Sequence, residues 1–195
     1  MSGFSSSMVF IVQTLGNLFI YAVLLRFLLQ LVKADFYNPL SQAVVKITSP
    51  LLKPLRRIIP GFGGMDIAAL ILAFVLEMIL LYLLYGLRGA SPSAVPIVLV
   101  MVQAVFKLID LILNIYIFSM VIIAIASWVT SGRYNPALVL LMQLTDPIAS
   151  RVRRIIPPIG GLDLSFMAIM LVIILIQGAL PGIENSALRG LASFF

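Results

Sequence analysis

The sequence contains no cysteine and no histidine. The absence of cysteine excludes a disulfide framework, a thiolate nucleophile and a thiolate metal site. The absence of histidine removes the commonest metal ligand and the usual general base at neutral pH. No Gly-x-Ser-x-Gly motif is present, and only methionine, tyrosine or carboxylate could serve as a haem ligand. These absences predict a protein with no catalytic residue, no metal site and no cofactor.

Charged residues are also scarce. They make up 10% of the chain, whereas 62% is hydrophobic and the mean hydropathy is +1.17. A soluble domain carries about 25% charged residues, so most of this surface is expected to face lipid. The formal net charge is +6, but the basic residues stand at the ends of apolar runs. Membrane topology and anionic headgroups explain that placement better than direct nucleic-acid binding.

One motif occurs twice, 97 positions apart. Arg-Arg-Ile-Ile-Pro stands at 56–60 and again at 153–157, and each copy is followed by Gly-Gly-x-Asp at 63–66 and at 160–163. Matches at arginine, proline and glycine positions with one fixed offset indicate a tandem duplication. We predict a first repeat over 1–94 and a second repeat over 95–195.

Apolar runs predict the fold class. We expect spans at about 8–33 and 66–87 in the first repeat, and at about 107–130 and 163–181 in the second. The chain is thus predicted to be an all-α membrane protein with four transmembrane helices in two parallel repeats. A pseudo-two-fold axis along the membrane normal is expected. The sequence leaves open whether residues 95–106 extend the third helix or lie on the membrane.

The connections at 34–65 and 131–162 are amphipathic and basic, so they are expected to lie in the interfacial plane. Each contains two cap-then-proline pairs, which predict two short helices separated by a bend. The pairs are Asn38-Pro39, Ser49-Pro50, Asn135-Pro136 and Asp146-Pro147. After the last span, which we expect to end near residue 180, a short tail begins at Pro181.

Positive charge predicts the orientation. Most lysine and arginine residues flank or occupy the two connections, and only Arg88, Lys107 and Arg189 belong to the opposite side. The positive-inside rule then places both connections in the cytoplasm and both termini outside. We expect a multi-pass membrane protein.

The duplicated Arg-Arg-Ile-Ile-Pro-x-x-Gly-Gly-x-Asp motif, behind an amphipathic basic segment, resembles the YggT family, also called YlmG. The resemblance covers both repeats and implies a small integral membrane protein of the two-repeat form. Members have been linked to osmotic tolerance and potassium uptake, to cell division, and in plastids to cytochrome maturation. The resemblance supplies no catalytic residue.

Six basic residues of the connections are candidate contacts for anionic lipid headgroups or for a partner protein: Arg56, Arg57, Arg153, Arg154, Lys46 and Lys53. The plainer interpretation is that they only determine topology. Asp66 and Asp163 are interpreted as helix N-caps, although a role as proton or cation ligands is the alternative. The glycine pairs, Gly63 with Gly64 and Gly160 with Gly161, are expected to permit a tight return into the bilayer.

Polar residues within the spans form a further candidate set: Gln13, Asn17, Arg26, Glu77, Lys107, Asp110 and Asn114. Lys107, Asp110 and Asn114 follow one stripe of a helix, and Gln13 and Asn17 align with the last two. The stripe either lines a polar site or holds helices together. Glu77 lies near mid-bilayer, and we expect it either to pair with Arg26 or to be a protonatable site.

Three functional hypotheses are open. An intramembrane enzyme is disfavoured by the absence of histidine, cysteine and a Gly-x-Ser-x-Gly motif, which leaves two others. The first is a non-catalytic accessory or scaffold protein whose basic cytoplasmic face contacts anionic lipid or a partner. The second is a small channel or ion-handling protein that supports osmotic tolerance or potassium homeostasis. A homo-oligomer or an association with other membrane proteins is compatible with both.

Overall fold

The computed structural model describes residues 3–91, 94–129, 135–156 and 163–193. Six helices occupy these residues, and their order is α1 Gly3–Leu31, α2 Pro39–Ile58, α3 Ile67–Leu87, α4 Ile97–Val129, α5 Pro136–Arg153 and α6 Leu164–Ala192. Helices α1, α3, α4 and α6 each contain a segment long and apolar enough to cross a membrane. The predicted fold class, an all-α protein with four candidate membrane spans, is confirmed.

Helix α4 settles the position of residues 95–106. The helix begins at Ile97 and continues without interruption to Val129, so this segment extends the third helix. A run of branched and long apolar side chains with no glycine or proline gives no local reason to break it. The predicted end of this span, residue 130, lies outside the described residues.

The predicted bend within each connection is wrong. Helix α2 runs through Pro50 and Pro54, and α5 runs through Pro147. A proline inside a helix removes one backbone hydrogen bond and crowds the preceding turn. In α2, Pro50 removes the N–H that would bond the carbonyl of Lys46. The neighbouring carbonyl of Val45 accepts from the hydroxyl of Ser49 and from the guanidinium of Arg26. The Asn-Pro starts are present, and Asn38 and Asn135 accept from the backbone N–H groups of Leu40 and Ala137.

The last span is also longer than predicted. Helix α6 passes through Pro181 and ends at Ala192, whereas the sequence predicted an end near residue 180. The proline removes only the N–H that would bond the carbonyl of Gln177. Residues 187–192 are mostly good helix formers, and Arg189 in the last turn complements the helix dipole.

Helix α1 packs most extensively against α3, and α4 against α6. Gly16 allows the first pair to approach closely, because a Cβ at this position would lie 2.7 Å from Cδ1 of Leu80. The packing departs from the expected two-fold arrangement, in which α6 would contact α1 as α3 contacts α4. Helix α3 contacts both α1 and α4, whereas the described part of α6 packs on α4 and α5 without a comparable contact to α1.

Helices α2 and α5 lie at the same end of the bundle. The Asn38 side chain donates to the carbonyl of Pro136 at 2.7 Å, and the Asp35 backbone N–H donates to Gln143 Oε1 at 3.0 Å. Both connections are therefore on one side of the four spanning helices. This arrangement brings the basic residues of the two repeats onto a common surface.

Candidate functional site

The duplicated motif forms an ion pair in the first repeat. Arg56, in the last turn of α2, pairs with the carboxylate of Asp66, which caps α3 by accepting from the Ala69 N–H at 3.2 Å. Gly63 and Gly64 have φ angles of 62° and 83°, which a residue with a side chain seldom adopts. The glycines therefore reverse the chain so that the arginine of one helix reaches the first turn of the next.

The second repeat forms the matching pair. Arg153 Nε donates to Asp163 at 2.8 Å, and its guanidinium lies 5.2 Å above the ring of Phe166. Burial by itself raises the pKa of the Asp163 carboxyl. The hydrogen bonds from Arg153 and Ser165, with the charge of Arg153, outweigh burial and lower that pKa below the ordinary value of an aspartate. Gly160 and Gly161 lie outside the described residues.

The two arginines of each pair therefore have different environments. Arg56 and Arg153 bind carboxylates, which sequence reasoning did not foresee, although the constant ten-residue separation could have suggested it. Arg57 and Arg154 are exposed and have no ion pair within the described ranges. They share this exposure with Lys46 and Lys53 on α2. The exposed set is available for an external anion.

Arg26 does not pair with Glu77, and this prediction is wrong. The guanidinium of Arg26 is 6% exposed and points to α2, where Nη1 donates to Thr48 Oγ1 at 2.7 Å and to Ser49 Oγ at 3.2 Å. Thr48 itself donates to the carbonyl of Val44, so its oxygen can accept the arginine proton. The charge of Arg26 is thus solvated by hydroxyl and carbonyl oxygens of α2, and no carboxylate among the described residues forms an ion pair with it.

A cavity of about 520 Å³ opens beside this arginine. We call it the basic cavity, and its polar lining consists of Arg26, Gln30, Lys33 and Arg56. Lys33 lies two residues after the end of α1, in the left-handed region with φ of 54°, and has no ion pair in the described part of the chain. Since Asp66 already pairs with Arg56, the cavity carries an excess of positive charge. Sequence reasoning missed Lys33 and Thr48 as parts of this site.

Glu77 is buried in the middle of α3. It is 1% exposed, and its Oε2 has no hydrogen-bond partner among the described residues. Asn17 Oδ1 on α1 is likewise buried without a partner. The Lys107 ammonium on α4 lies within electrostatic range of Glu77. Each of these oxygens lacks the hydrogen bond that buried polar atoms normally have.

The polar stripe of α4 joins α4 to its neighbours. Lys107 lies 3.5 Å from Asp110, and Asp110 accepts from Gln177 of α6 at 2.8 Å. Gln103 accepts from the Tyr85 hydroxyl of α3 at 2.6 Å. These contacts are of the type that holds helices together in lipid. Gln177 and Tyr85 were missed by sequence reasoning, because a single polar residue in a long apolar run has no pattern that indicates its partner.

Two other members of the candidate set make local or no contacts. Asn114 donates to the carbonyl of Asp110, one turn earlier in the same helix. Gln13 is partly exposed on α1 and has no hydrogen bond among those the structure describes. These residues therefore do not extend the contacts made by Asp110.

Comparison with known proteins identifies the family. A sequence model of the CCB3/YggT family matches residues 5–87 and 102–183. The chain belongs to this family. Among its relatives, an uncharacterised protein of Pseudomonas aeruginosa is 44% identical over 180 residues, which cover 90% of this chain and 91% of the relative.

Two further relatives are as extensive in their coverage. An uncharacterised protein of Vibrio alginolyticus is 41% identical, over 85% of this chain and 89% of its own length. The uncharacterised protein YggT of Escherichia coli K12 is 34% identical, over 88% of both chains. No solved structure matches the chain. Family membership and the four apolar helices together identify a membrane protein, and the descriptions of the relatives name no activity.

Proposed function

We propose that this chain is a non-catalytic accessory or scaffold protein of the bacterial cytoplasmic membrane, whose basic surface holds anionic phospholipid. The observation that carries the proposal is Arg26, which is buried, forms no ion pair with a carboxylate among the described residues and borders the basic cavity with Lys33 and Arg56. A buried charge normally requires a counter-ion. A phosphate group at the membrane surface supplies one.

The position of the cavity supports a lipid ligand. Its lining comes from the end of α1, from α2 and from the turn before α3, which is the level at which spanning helices meet the headgroup region. The exposed residues Lys46, Lys53, Arg57 and Arg154 extend the positive surface beyond it. Clusters of basic residues next to spanning helices attract anionic lipid by about 1 kcal/mol per residue.

The test is a binding titration of the full chain in detergent with phosphatidylglycerol and with phosphatidylcholine. We expect tighter binding of phosphatidylglycerol, and an affinity about tenfold lower in Lys33→Gln, because a charge-assisted hydrogen bond is lost. Lys53→Gln is the matched control, since it removes the same charge from the exposed surface outside the cavity. An equal loss in the two variants, or no preference between the lipids in the wild type, contradicts a specific site.

A second function, ion handling in support of osmotic tolerance or potassium homeostasis, is favoured by one observation. Glu77 is a buried carboxyl without a hydrogen-bond partner at its Oε2, within electrostatic range of Lys107. Ionisable groups inside spans often mark ion or proton pathways. Flux measured in proteoliposomes of the wild type and of Glu77→Gln tests this, and equal fluxes in both and in protein-free vesicles reject it.

A further inference from the structure

The two repeats differ at the position where the first one binds its own arginine. In the first repeat Arg26 Nη1 donates to the Val45 carbonyl, to Thr48 Oγ1 and to Ser49 Oγ. At the offset of 97 positions, the corresponding residues are Met142, Thr145 and Asp146, and Ile123 stands in place of the arginine. The second repeat therefore keeps the acceptors and replaces one hydroxyl by a carboxylate, but it lacks the cation.

A cavity occupies the space that this cation would fill. Its volume is about 500 Å³, and Ile123, Met142, Thr145 and Asp146 all line it. Thr145 is buried and donates to the carbonyl of Leu141, so its oxygen remains able to accept, as Thr48 does from Arg26. The Asp146 side chain is 63% exposed, and its nearest cation, Arg153, lies 3.7 Å away.

The cavity lining also carries positive charge. Lys33 and Arg153 line it together with the apolar side chains of Val32 and Phe166. Arg153 is engaged by Asp163, so the lining is close to neutral, unlike that of the basic cavity. A ligand that complements this lining carries a cationic donor, an anionic group beside it and an apolar part.

We propose that this cavity binds the headgroup of an aminophospholipid, with its primary ammonium on the Met142 carbonyl, Thr145 and Asp146. Its phosphate lies towards Lys33, and its acyl chains follow the apolar wall beside Ile123 and Phe166. The ammonium takes the place that the Arg26 guanidinium has in the first repeat. The two cavities share Lys33, but the ammonium subsite at Met142, Thr145 and Asp146 is lined by no residue of the basic cavity.

The experiment measures thermal unfolding of the full chain in detergent with phosphatidylethanolamine, phosphatidylcholine or phosphatidylglycerol added. The first two share a phosphate, but the quaternary ammonium of phosphatidylcholine has no N–H to donate. We expect phosphatidylethanolamine to raise the midpoint more than phosphatidylcholine does, and binding to weaken about tenfold or more in Asp146→Ser. Water-soluble phosphoethanolamine is a further arm, and a full shift with it alone overturns the assignment to a lipid.

Ile123→Arg is the decisive variant, because its guanidinium can occupy the site as Arg26 does in the first repeat. The ethanolamine-specific shift should disappear in this variant and persist in Ile123→Leu, which keeps an apolar side chain of similar volume. If Ile123→Arg does not fold, Asp146→Ser alone decides. A shift that survives in Asp146→Ser, or a wild type that responds equally to all three lipids, overturns the proposal.

Discussion

At the scale of single residues, neighbouring arginines of one motif have separate roles. Arg56 neutralises Asp66, which is 2% exposed, whereas Arg57 is exposed and unpaired among the described residues. We expect Arg56→Gln to lower the free energy of unfolding by about 1–3 kcal/mol, because a buried carboxylate loses its partner. Arg57→Gln should change it by less than about 0.5 kcal/mol. Unfolding of both variants in one detergent checks this, and equal losses would show that the pair is not structural.

Asp163 makes the stability of the second repeat depend on pH. Its pKa is lower in the folded protein than the ordinary value of about 3.9. The carboxylate therefore contributes stability that is complete above this ordinary value and is lost as the pH falls through the folded-state pKa. The unfolding midpoint of the wild type should exceed that of Asp163→Asn at neutral pH, and the difference should shrink below about pH 4. If the difference in unfolding midpoint between the two proteins does not depend on pH, the ionised Asp163 carboxylate is not the source of this stability.

Arg26 and Glu77 should act independently, because Arg26 donates to α2 and no hydrogen bond or ion pair joins it to Glu77 among the described residues. Arg26→Leu leaves the acceptors of α2 without their donor and should destabilise the protein by about 1–3 kcal/mol. Glu77→Ile introduces the apolar residue type found at its counterpart, Ile174, and removes a buried carboxyl oxygen without a partner. It should stabilise the protein. Thermal unfolding of the two single variants and the double variant should give additive changes. If the double variant is more stable than the two single changes added together predict, the expected ion pair between Arg26 and Glu77 would be supported.

At the scale of helices, α2 continues through Pro50 and Pro54. Pro50 lies inside the helix and removes a backbone hydrogen bond, whereas Pro39 lies in the first turn, where no bond is lost. Pro50→Ala should therefore stabilise the protein by up to about 3 kcal/mol. Pro39→Ala is the control and should have little effect. Comparable unfolding midpoints for the two variants would show that the packing of Pro50 offsets the hydrogen bond that it removes.

At the scale of the whole molecule, α2 and α5 lie on one side of the spans, and their charge predicts that this side is cytoplasmic. Single cysteines at Ser2, Lys53, Arg154 and Ser193 can be labelled without background, since the native chain has no cysteine. We expect the terminal positions to react with an impermeant maleimide in intact cells, and positions 53 and 154 to react only after the membrane is opened. The reverse pattern contradicts the orientation.

The sequence by itself determined the fold class and the four spans. The lengths of the apolar runs and the scarcity of charged residues can be read directly from the residues and their order. It also located the asparagine caps of α2 and α5 and the aspartate caps of α3 and α6, since capping is a local interaction. The predicted end of the last span and the predicted bends in the connections were wrong. Proline disfavours a helix locally, but each of these prolines removes only one backbone hydrogen bond, and the helix persists on both sides of it.

Only the tertiary structure decided the partners of the charged residues. Arg26 could have reached Glu77 or α2, and the choice depends on which face of α1 meets each neighbour. The structure turns Arg26 towards Thr48 and leaves Glu77 Oε2 without a partner. The physical reason is that polar contacts between helices depend on rotation and depth, which a single sequence does not encode in any local pattern.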